Sequence, residues 1–542
     1  MRTIFVLFDS LNRSALGAYG STALATPNFS RFAERALVFD RHYVGSMPCI
    51  PARRDMHTGR LNFLHRSWGP LEPFDNSFAR ELSARGVYTH IVTDHLHYAE
   101  VGGTGYVNAF DSWQMIRGQE YDPLKAVVTP PINALREQFD PRHYPFENLP
   151  EGRNVTRHNV SETEWRRSRG ALNHLTLDEQ GEEAWSTVKC FDEALAFLDT
   201  NSASDDWFLQ IECFDPHEPF NAPERFRQST GAGKTDRILD WPVYEKVTSS
   251  DAEIAETRAN YAALVAHCDD QFGRLLDWLD ETDGWDDTCV IVTTDHGFLL
   301  GEHEWWGKNK MPLYEEISHI PLMIRHPECK PGRYSGLTQT TDLMPTILEL
   351  HGAPIPPEVR AHSLLPALQG EDVGRETAIL GMFAGPICVT DGRFTYYLYP
   401  TDETASGLGQ YTLEPHHIDR DFSLAELETA RLAPPMDFTK GSPLLRFDAM
   451  PPIGEAGFEA TARRPAKSPL FDLATDPEQE NPLDDPATCR RLEAAAARHL
   501  EEHDAPNEIF AHYGLVAPGR KAEITPPDVE GPEINTPMEE TT

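Results

Sequence analysis

Short apolar runs that end in Asp or His constrain this sequence more than any other feature. Each run has the length of a strand and the β-branched and aromatic bias of a buried one. Helical patterns lie between the runs, and the clearest of them, 252–281, places apolar side chains on one face. Strands that alternate with helices predict a largely parallel sheet with helices on both faces. The runs are residues 3–8, 87–92, 207–214, 289–294 and 320–325.

Polar, chemically versatile side chains follow four of these five runs directly. Because ligands bind at the carboxyl ends of the strands in such a sheet, these side chains are expected to meet at one edge. One instance would be ordinary, and the coincidence of four is the strongest indication that the residues alone provide. The segments are Asp9-Ser10, Asp94-His95-Leu96-His97, Asp215-Pro216-His217 and Asp295-His296.

The residue types at these strand ends predict a cation beside an anion. Asp9, Asp295 and His296 are candidate ligands of a divalent cation, since carboxylates suit hard cations and an imidazole extends the choice toward manganese or zinc. A turn residue is the alternative for Asp9, and a helix cap with a packed histidine is the alternative for Asp295-His296. A single histidine in a loop is more often a surface or packing residue, but several at strand ends favour a site. Four further residues are predicted to surround an anion as positive or hydrogen-bond-donating groups: His95, His97, His217 and Lys308.

A lone cysteine stands in the turn C-I-P-A-R, between Pro48 and Pro51 and ahead of Arg53. Cys49 has three readings: a small buried hydrophobe, a thiolate nucleophile activated by Arg53, or a residue that is chemically modified. A soft thiolate is a poor match for a hard, oxygen-rich cation, and an oxygen nucleophile would fit better.

Charge and cysteine content exclude some partners and indicate a compartment. The formal net charge of −38 disfavours nucleic acid and anionic membranes, so we expect neither as a partner. Eight cysteines with no C-x-x-C pair predict reduced thiols and a cytoplasmic location. No stretch has the length of a membrane span, and the first residues lack a signal-peptide pattern.

The pattern along the chain predicts three parts. Residues 1–375 form a catalytic α/β domain, in which the polar, poorly periodic stretch 113–175 is an insertion over the sheet edge. Residues 376–515 form a subdomain with a strand at 393–399 and a helix near 485–503. Residues 516–542 are an acidic, Pro-rich tail that is expected to be disordered or draped. Substrate specificity is expected to come from the 100–175 region and the C-terminal subdomain, although no motif in either region indicates which substrate binds.

These segments together resemble the type I sulfatases of the alkaline phosphatase superfamily, close to the phosphonate monoester hydrolases. C-I-P-A-R matches the C-x-P-x-R signature in which the cysteine is oxidised to formylglycine, and the resemblance spans most of residues 1–485. It implies an alkaline-phosphatase-like α/β fold: a large, mostly parallel sheet sandwiched by helices, with a smaller C-terminal antiparallel-sheet subdomain. The other matching segments are 8–20, 26–39, 215–220, 293–297, 320–325, 342–352 and 470–483.

The resemblance implies a metal-dependent sulfuric ester hydrolase that cleaves a small sulfate monoester. A formylglycine made from Cys49 by a maturase would be hydrated, attack sulfur with one hydroxyl and release sulfate with the help of the other. Arg53 would hold this group, Lys308 and His97 would neutralise the oxyanion, and His217 or Lys308 would assist the leaving alkoxide. The implied metal ligands are Asp9, Cys49, Asp295 and His296, with Ca²⁺ expected first and Mn²⁺ or Zn²⁺ as alternatives.

Two positions depart from the family pattern. Ser10 stands where many sulfatases have a second acid, which leaves a fourth carboxylate ligand open, and His95-Leu96-His97 replaces a Lys-x-His motif. A phosphonate monoester hydrolase or phosphodiesterase with the same nucleophile is therefore the alternative. A non-catalytic scaffold would require an incomplete site, whereas all seven expected residues are present. The sequence predicts no oligomeric state.

Overall fold

The computed structural model describes residues 1–401, 407–449, 465 and 467–518. Its strands and helices alternate through the first part of the chain, as the sequence predicts. The strands are β1 (Arg2–Phe8), β2 (Leu37–Tyr43), β3 (Tyr88–Thr93), β4 (Ser112–Met115), β5 (Trp207–Cys213), β6 (Thr288–Thr294), β7 (Leu299–Leu300), β8 (Trp306–Gly307), β9 (His319–Ile320), β10 (Leu322–Arg325), β11 (Gly332–Gln339), β12 (Ala378–Gly381), β13 (Ile387–Thr390), β14 (Phe394–Leu398), β15 (Gly409–Thr412), β16 (Arg431–Ala433), β17 (Leu444–Asp448) and β18 (Leu470–Asp472).

The helices differ widely in length. The longest runs for 31 residues and the shortest for a single turn. They are α1 (Pro27–Ala33), α2 (Cys49–Thr58), α3 (Phe78–Ser83), α4 (Thr104–Val107), α5 (Ile132–Gln138), α6 (Glu162–Gln180), α7 (Ser186–Thr200), α8 (Glu224–Thr230), α9 (Asp251–Glu281), α10 (Glu315–Ser318), α11 (Leu343–Leu350), α12 (Leu365–Leu368), α13 (Leu424–Leu427), α14 (Pro486–Glu502) and α15 (Asn507–His512).

A large sheet forms the centre of the molecule, in the strand order β11-β2-β10-β6-β1-β5-β3-β4 with β9 beside β2. Strand β1 lies between β5 and β6 and is parallel to both, so that Phe8 stands level with Cys213 and Thr294. Strand β10 is antiparallel to β6 and β2. The sheet is therefore mostly parallel, and the run predicted at 320–325 is its one long antiparallel member among the described residues.

Both faces of this sheet are covered, and the pleat of β1 shows how. Val6 and Phe8 point into one apolar layer, which α1, α7 and α9 complete. Phe5 and Leu7 point into the opposite layer, against α3 and α11. Because successive side chains of a strand face opposite sides, a run that is apolar throughout needs two covers. Each large apolar side chain buried in this way contributes about 1.5–3 kcal/mol to folding.

The stretch 113–175 has more regular structure than its sequence predicts. It begins in the edge strand β4 and contains helices α5 and most of α6. Helix α6 starts with a capping box, in which the Ser161 hydroxyl and the Glu164 carboxylate each accept a backbone N–H. The helix was not evident from periodicity because much of its buried face is polar, including Arg167, Asn173 and His174. Helices α5 and α6 enclose a separate apolar cluster with Trp241.

The C-terminal part forms smaller antiparallel sheets. Strands β12, β13, β14 and β18 make one sheet, which packs against α14, and β15, β17 and β16 make another. The first of these sheets also contacts the segment before Cys49 through Gly381 of β12. Gly381 N–H donates to Gly45 O at 3.1 Å, and Met47 N–H donates to Gly381 O at 2.8 Å. The predicted tail from residue 519 onward lies outside the described residues. The predicted division at 375 and 515 stays a prediction.

Two further observations concern membrane-spanning helices and the state of the cysteines. In the part of the chain that the structure describes, no helix combines the length and the apolar character that a membrane crossing requires. All eight cysteines lie in described segments and are free, and six of them are buried.

Candidate metal and catalytic site

The polar strand ends meet at the carboxyl edge of β1, β3, β5 and β6, as the alternating pattern predicts. Backbone contacts join them: Asp9 N–H donates to Cys213 O at 2.9 Å, and Phe214 N–H donates to an Asp94 carboxylate oxygen at 2.7 Å. Ser10 N–H donates to Asp295 Oδ1 at 3.1 Å. The loops after four strands are thus tied together, which holds their side chains around one small volume.

Asp9, Cys49, Asp295 and His296 form one compact, buried group. One ligand atom of each lies within 4.8 Å of those of the others. Burial, together with the neighbouring Asp295 carboxylate, raises the pKa of Asp9. Two buried carboxylates at this distance repel each other, and a cation between them would relieve that repulsion. The donor set, two carboxylates and one imidazole, fits a divalent cation.

Cys49 is the first residue of α2 and lies at the floor of a cavity, with 2% of its surface exposed. Its Sγ is 3.3 Å from His296 Nε2 and 3.6 Å from Lys308 Nζ. Burial and the Asp9 carboxylate raise the pKa of the Cys49 thiol well above its ordinary value. The side chain of Cys49 therefore lies between the candidate metal ligands on one side and the cavity on the other.

Arg53 lies one helical turn after Cys49 and turns toward the carboxylates. Its Nη1 donates to Asp295 Oδ2 at 2.6 Å and its Nη2 donates to Asp9 Oδ2 at 3.0 Å. Its Nε donates to Glu212 Oε1 at 2.7 Å. With 1% of its side chain exposed, Arg53 is a buried counter-charge to the metal ligands. The prediction that it also holds the nucleophile stays a prediction.

Ser10, the residue that departs from the family pattern, links two site residues. Its hydroxyl donates to Asp9 Oδ1 at 2.8 Å and accepts a hydrogen bond from Lys308 Nζ at 3.1 Å. Its backbone is left-handed, with φ 61°. Ser10 thus supplies a hydroxyl that positions Lys308, in a place where a second carboxylate would add negative charge.

Lys308 and His217 both line the cavity. Lys308 is buried, and its Nζ also lies 3.8 Å from Asp9 Oδ1. His217 Nδ1 lies 2.6 Å from Glu218 O, and since a carbonyl only accepts, Nδ1 carries the proton. Lys310, two residues after Lys308, is directed away from Cys49, and its Nζ lies 3.3 Å from Glu245 Oε1. The structure therefore brings Lys308, rather than Lys310, to Cys49.

Of the two histidines that replace the Lys-x-His motif, only His97 lines the cavity. Its Nδ1 lies 2.6 Å from Glu100 Oε2, and its Nε2 lies 3.9 Å from Glu120 Oε2. Burial alone would lower the pKa of His97, but Glu100 and Glu120 outweigh it and raise that pKa. His95 is fully buried, with Nε2 3.8 Å from Asp9 Oδ2, and neither of its ring nitrogens has a hydrogen-bond partner among the described residues.

The cavity above Cys49 has a volume of about 290 Å³. Its walls include residues that the sequence motifs did not single out. Four of the principal ones come from the regions expected to carry specificity, whereas Trp68 and Tyr244 lie outside those regions. No local pattern marked any of them, because each becomes a wall residue only through contacts between distant segments. The principal ones are Trp68, Glu120, Arg166, Tyr244, Asp419 and Arg420.

Comparison with known proteins agrees with this geometry. A family model described as Sulfatase matches residues 2–353. A choline-sulfatase of Rhizobium meliloti (strain 1021) is 25% identical over 422 residues, which cover 72% of this chain and 77% of that protein.

Two solved structures extend the likeness over almost the whole chain. One, described as a complex with its substrate D-glucosamine-2-N,6-O-disulfate, covers 94% of this chain and 99% of its own, with a TM-score of 0.61 at 16% identity. The other, a phosphonate monoester hydrolase of Agrobacterium radiobacter, covers 93% and 95%, with a TM-score of 0.58 at 17% identity. At 16% and 17% identity, this structural similarity supports a shared fold and no further property.

Proposed function

Because the chain belongs to the sulfatase family, whose model matches residues 2–353, we propose that it hydrolyses a sulfate monoester with a formylglycine made from Cys49 and a bound divalent cation. The predicted family is confirmed by that match. The predicted alkaline-phosphatase-like fold class is confirmed by the solved structures that share it.

The observation that carries the proposal is the placement of Cys49. Its side chain stands between the carboxylate and imidazole group on one side and the cavity on the other. A nucleophile at this point can touch a metal ion and a substrate at once. Formylglycine supplies oxygen in place of sulfur, which suits a hard cation.

Asp9, Asp295 and His296 would hold the cation together with the modified Cys49. When bound, a divalent cation supplies Lewis-acid chemistry and lowers the pKa of a nucleophilic hydroxyl. Calcium is the first expectation because the charged ligands are carboxylates, and His296 keeps manganese and zinc as alternatives.

The cavity residues would act on the ester itself. Lys308, held by Ser10, and His97, held by Glu100, are positioned to neutralise negative charge as it develops on the sulfate oxygens. Lys308 would donate a proton to the departing alkoxide, and His217, whose Nδ1 proton is donated to Glu218 O, would do so only from Nε2 of its imidazolium form. These roles follow from placement in the cavity and from the family.

Two further parts of the proposal concern the cell. A maturase would have to oxidise Cys49 before the enzyme is active. A cytoplasmic location is supported by eight free cysteines, since secreted proteins tend to pair them.

The test is mass spectrometry of the peptide that contains Cys49, from protein made together with a maturase, with metal analysis of the same sample. We expect the mass of an aldehyde at Cys49, turnover of 4-nitrophenyl sulfate and about one divalent ion per chain. Cys49→Ser should lose multiple turnover, because a serine has no second hydroxyl with which to release the sulfate. Full turnover by protein with an intact Cys49 thiol would contradict the proposal.

The alternative substrate class is tested with the same sample. The segment His95-Leu96-His97, in place of the usual Lys-x-His motif, is the observation that keeps phosphonate monoesters and phosphodiesters as alternative substrates. We expect kcat/KM to be highest for the sulfate ester. A phosphonate or diester advantage above about tenfold, roughly 1.4 kcal/mol of transition-state stabilisation, would make the alternative the better assignment.

A further inference from the structure

One wall residue of the cavity, Glu120, has the properties of a binding group without a partner. It is buried, with 6% of its surface exposed, and it lines the cavity above Cys49. Its Oε2 has no hydrogen-bond partner among the described residues. Leaving a buried carboxylate oxygen unpaired is unfavourable, so such a group in a binding cavity points to a missing donor.

The backbone around Glu120 is fixed in an unfavourable shape. Its φ is 49°, in the left-handed region that side chains other than glycine avoid. Two contacts hold it: Gln119 Nε2 donates to Asp215 Oδ1 at 2.6 Å, and Asn173 Nδ2 of helix α6 donates to Glu120 O at 3.2 Å. Backbone strain that neighbouring elements maintain is typical of functional positions.

The neighbours of Glu120 place it beside the reacting group rather than at it. A second cavity residue, His97, has its Nε2 3.9 Å from Glu120 Oε2 and is itself expected to contact the sulfate. The indole of Trp68 stands edge-to-face to His97, with 5.4 Å between ring centroids, and also lines the cavity. A molecule whose sulfate meets His97 would therefore bring its alcohol part against Glu120 and Trp68.

We propose that Glu120 binds a hydroxyl group on the alcohol part of the substrate, so that the preferred substrates are sulfate esters of polyhydroxy alcohols such as sugars. This inference rests on the proposed sulfatase function and specifies its substrate class. A hydroxyl near the ester would donate to Glu120 Oε2 and satisfy it. An apolar face of the same ring would lie against the indole of Trp68.

A cationic alcohol is the other donor that a carboxylate attracts, and the rest of the cavity disfavours it. Around the cavity, the described basic residues outnumber the acidic ones, Glu120 and Asp419. Asp419 is already engaged, with its carboxylate 2.9 Å from Arg420 and 3.7 Å from Arg166.

The experiment compares two esters with the same leaving geometry: glucose 6-sulfate and cyclohexylmethyl sulfate, which lacks the hydroxyls. Choline sulfate represents a cationic alcohol, and 4-nitrophenyl sulfate reports the basal sulfatase reaction. For the mature enzyme we expect kcat/KM to be at least about tenfold higher for glucose 6-sulfate than for cyclohexylmethyl sulfate. Glu120→Gln should reduce that ratio at least about tenfold, the range for one hydrogen bond to a charged group.

The controls separate binding from folding. Glu147→Gln makes the same change at an exposed position of the same 113–175 stretch and should keep the ratio. Glu120→Asp retains the charge with a shorter reach and should retain part of the preference, while thermal unfolding midpoints show whether each variant is folded.

Several results would overturn the inference. The inference fails if kcat/KM is equal for the two matched esters, or if it is higher for choline sulfate than for both. It also fails if Glu120→Gln lowers kcat/KM for every substrate by the same factor. If 4-nitrophenyl sulfate is cleaved in those cases, the proposed function stands and only the inference fails. If the mature enzyme cleaves no sulfate ester, both fail.

Discussion

At the scale of single residues, the Glu100 carboxylate raises the pKa of the cavity residue His97. It holds His97 Nδ1 at 2.6 Å, and its other carboxylate oxygen accepts a hydrogen bond from Tyr121 at 2.6 Å. The groups that face His97 are Glu100 from its own turn, Glu120 from the 113–175 stretch and Arg166 from helix α6. The two acids outweigh burial and Arg166, so the pKa of His97 is raised.

This contact predicts a shift in pH dependence for Glu100→Gln. An imidazolium is present below its pKa and lost above it, so activity that needs His97 in the charged form falls as the pH rises through that pKa. Without the Glu100 carboxylate the pKa of His97 is lower, and the fall in activity should move to lower pH. The measurement is the ratio of variant to unaltered kcat/KM for 4-nitrophenyl sulfate across pH.

That ratio should approach one in acid and decline toward neutral pH, whereas Glu147→Gln should give a flat ratio near one. A ratio below one by the same factor at every pH would mean that Glu100 acts only on structure, and a flat ratio near one would mean that it does not act on His97.

Residue types at strand ends were predictable, but their side-chain partners were not. Asp9, Asp295 and His296 could be located because apolar runs end just before them. The position of His95, buried beside Asp9 while His97 lines the cavity, depends on a short 3-10 turn, Leu96–Ala99, that no periodicity marks. Glu120 becomes a wall residue only because Gln119 and Asn173 hold its backbone, and those contacts join segments that are far apart in sequence.

At the scale of elements, the loop after β6 depends on a close backbone approach at Gly297. Its N–H donates to Ile317 O at 2.8 Å, and its carbonyl lies 3.0 Å from His296 Nδ1. A Cβ on Gly297 would lie 1.9 Å from Glu316 O and 2.8 Å from Asn12 Oδ1. Glu316 belongs to helix α10, and Asn12 Oδ1 accepts a hydrogen bond from Phe298 N–H, so an added Cβ would press on both sides of the loop that carries the candidate metal ligands.

Gly297→Ala should therefore lower both stability and activity. Steric overlap of this kind costs about 1–3 kcal/mol, and the resulting shift of Asp295 and His296 should reduce bound metal as well as rate. The measurements are the thermal unfolding midpoint, metal content and kcat/KM. Gly105→Ala is the matched control, because its Cβ would meet nothing closer than 3.9 Å inside helix α4, and it should be neutral. A Gly297→Ala variant with an unaltered midpoint and rate would contradict this account.

Elements with an apolar face were predictable, and elements with a polar buried face were not. Helix α9, predicted at 252–281, is found at Asp251–Glu281, because its apolar side chains repeat at helical spacing and Ser250 caps it. Helix α6 is nearly as regular in shape but buries arginine, asparagine and histidine, so polar residues interrupt the apolar face that would have marked it in the sequence. Hydrogen bonds specify that face, and they depend on partners elsewhere in the chain.

At the scale of the whole molecule, a net charge of −38 opposes the approach of an anionic substrate. The cavity is locally basic, but the long-range field is negative. Salt shortens the range of that field, from about 30 Å at 0.01 M to about 8 Å at 0.15 M. We expect kcat/KM for glucose 6-sulfate to rise severalfold over this range, and kcat/KM for the zwitterion choline sulfate to change less. A fall with salt would show that the basic cavity, and not the net charge, controls binding.

The contact of Gly381 with the segment before Cys49 has a consequence for the order of events during synthesis. Gly381 and its strand leave the ribosome long after Cys49, by roughly 20 s to a minute at about 5–20 residues per second. Until then, nothing from the C-terminal sheet covers the turn that carries the thiol. In the folded chain only 2% of Cys49 is exposed, which is too little for another enzyme to bind the surrounding segment as an extended peptide. The proposed oxidation of Cys49 would therefore have to precede folding of the C-terminal sheet, and a chain that folds first would retain its thiol.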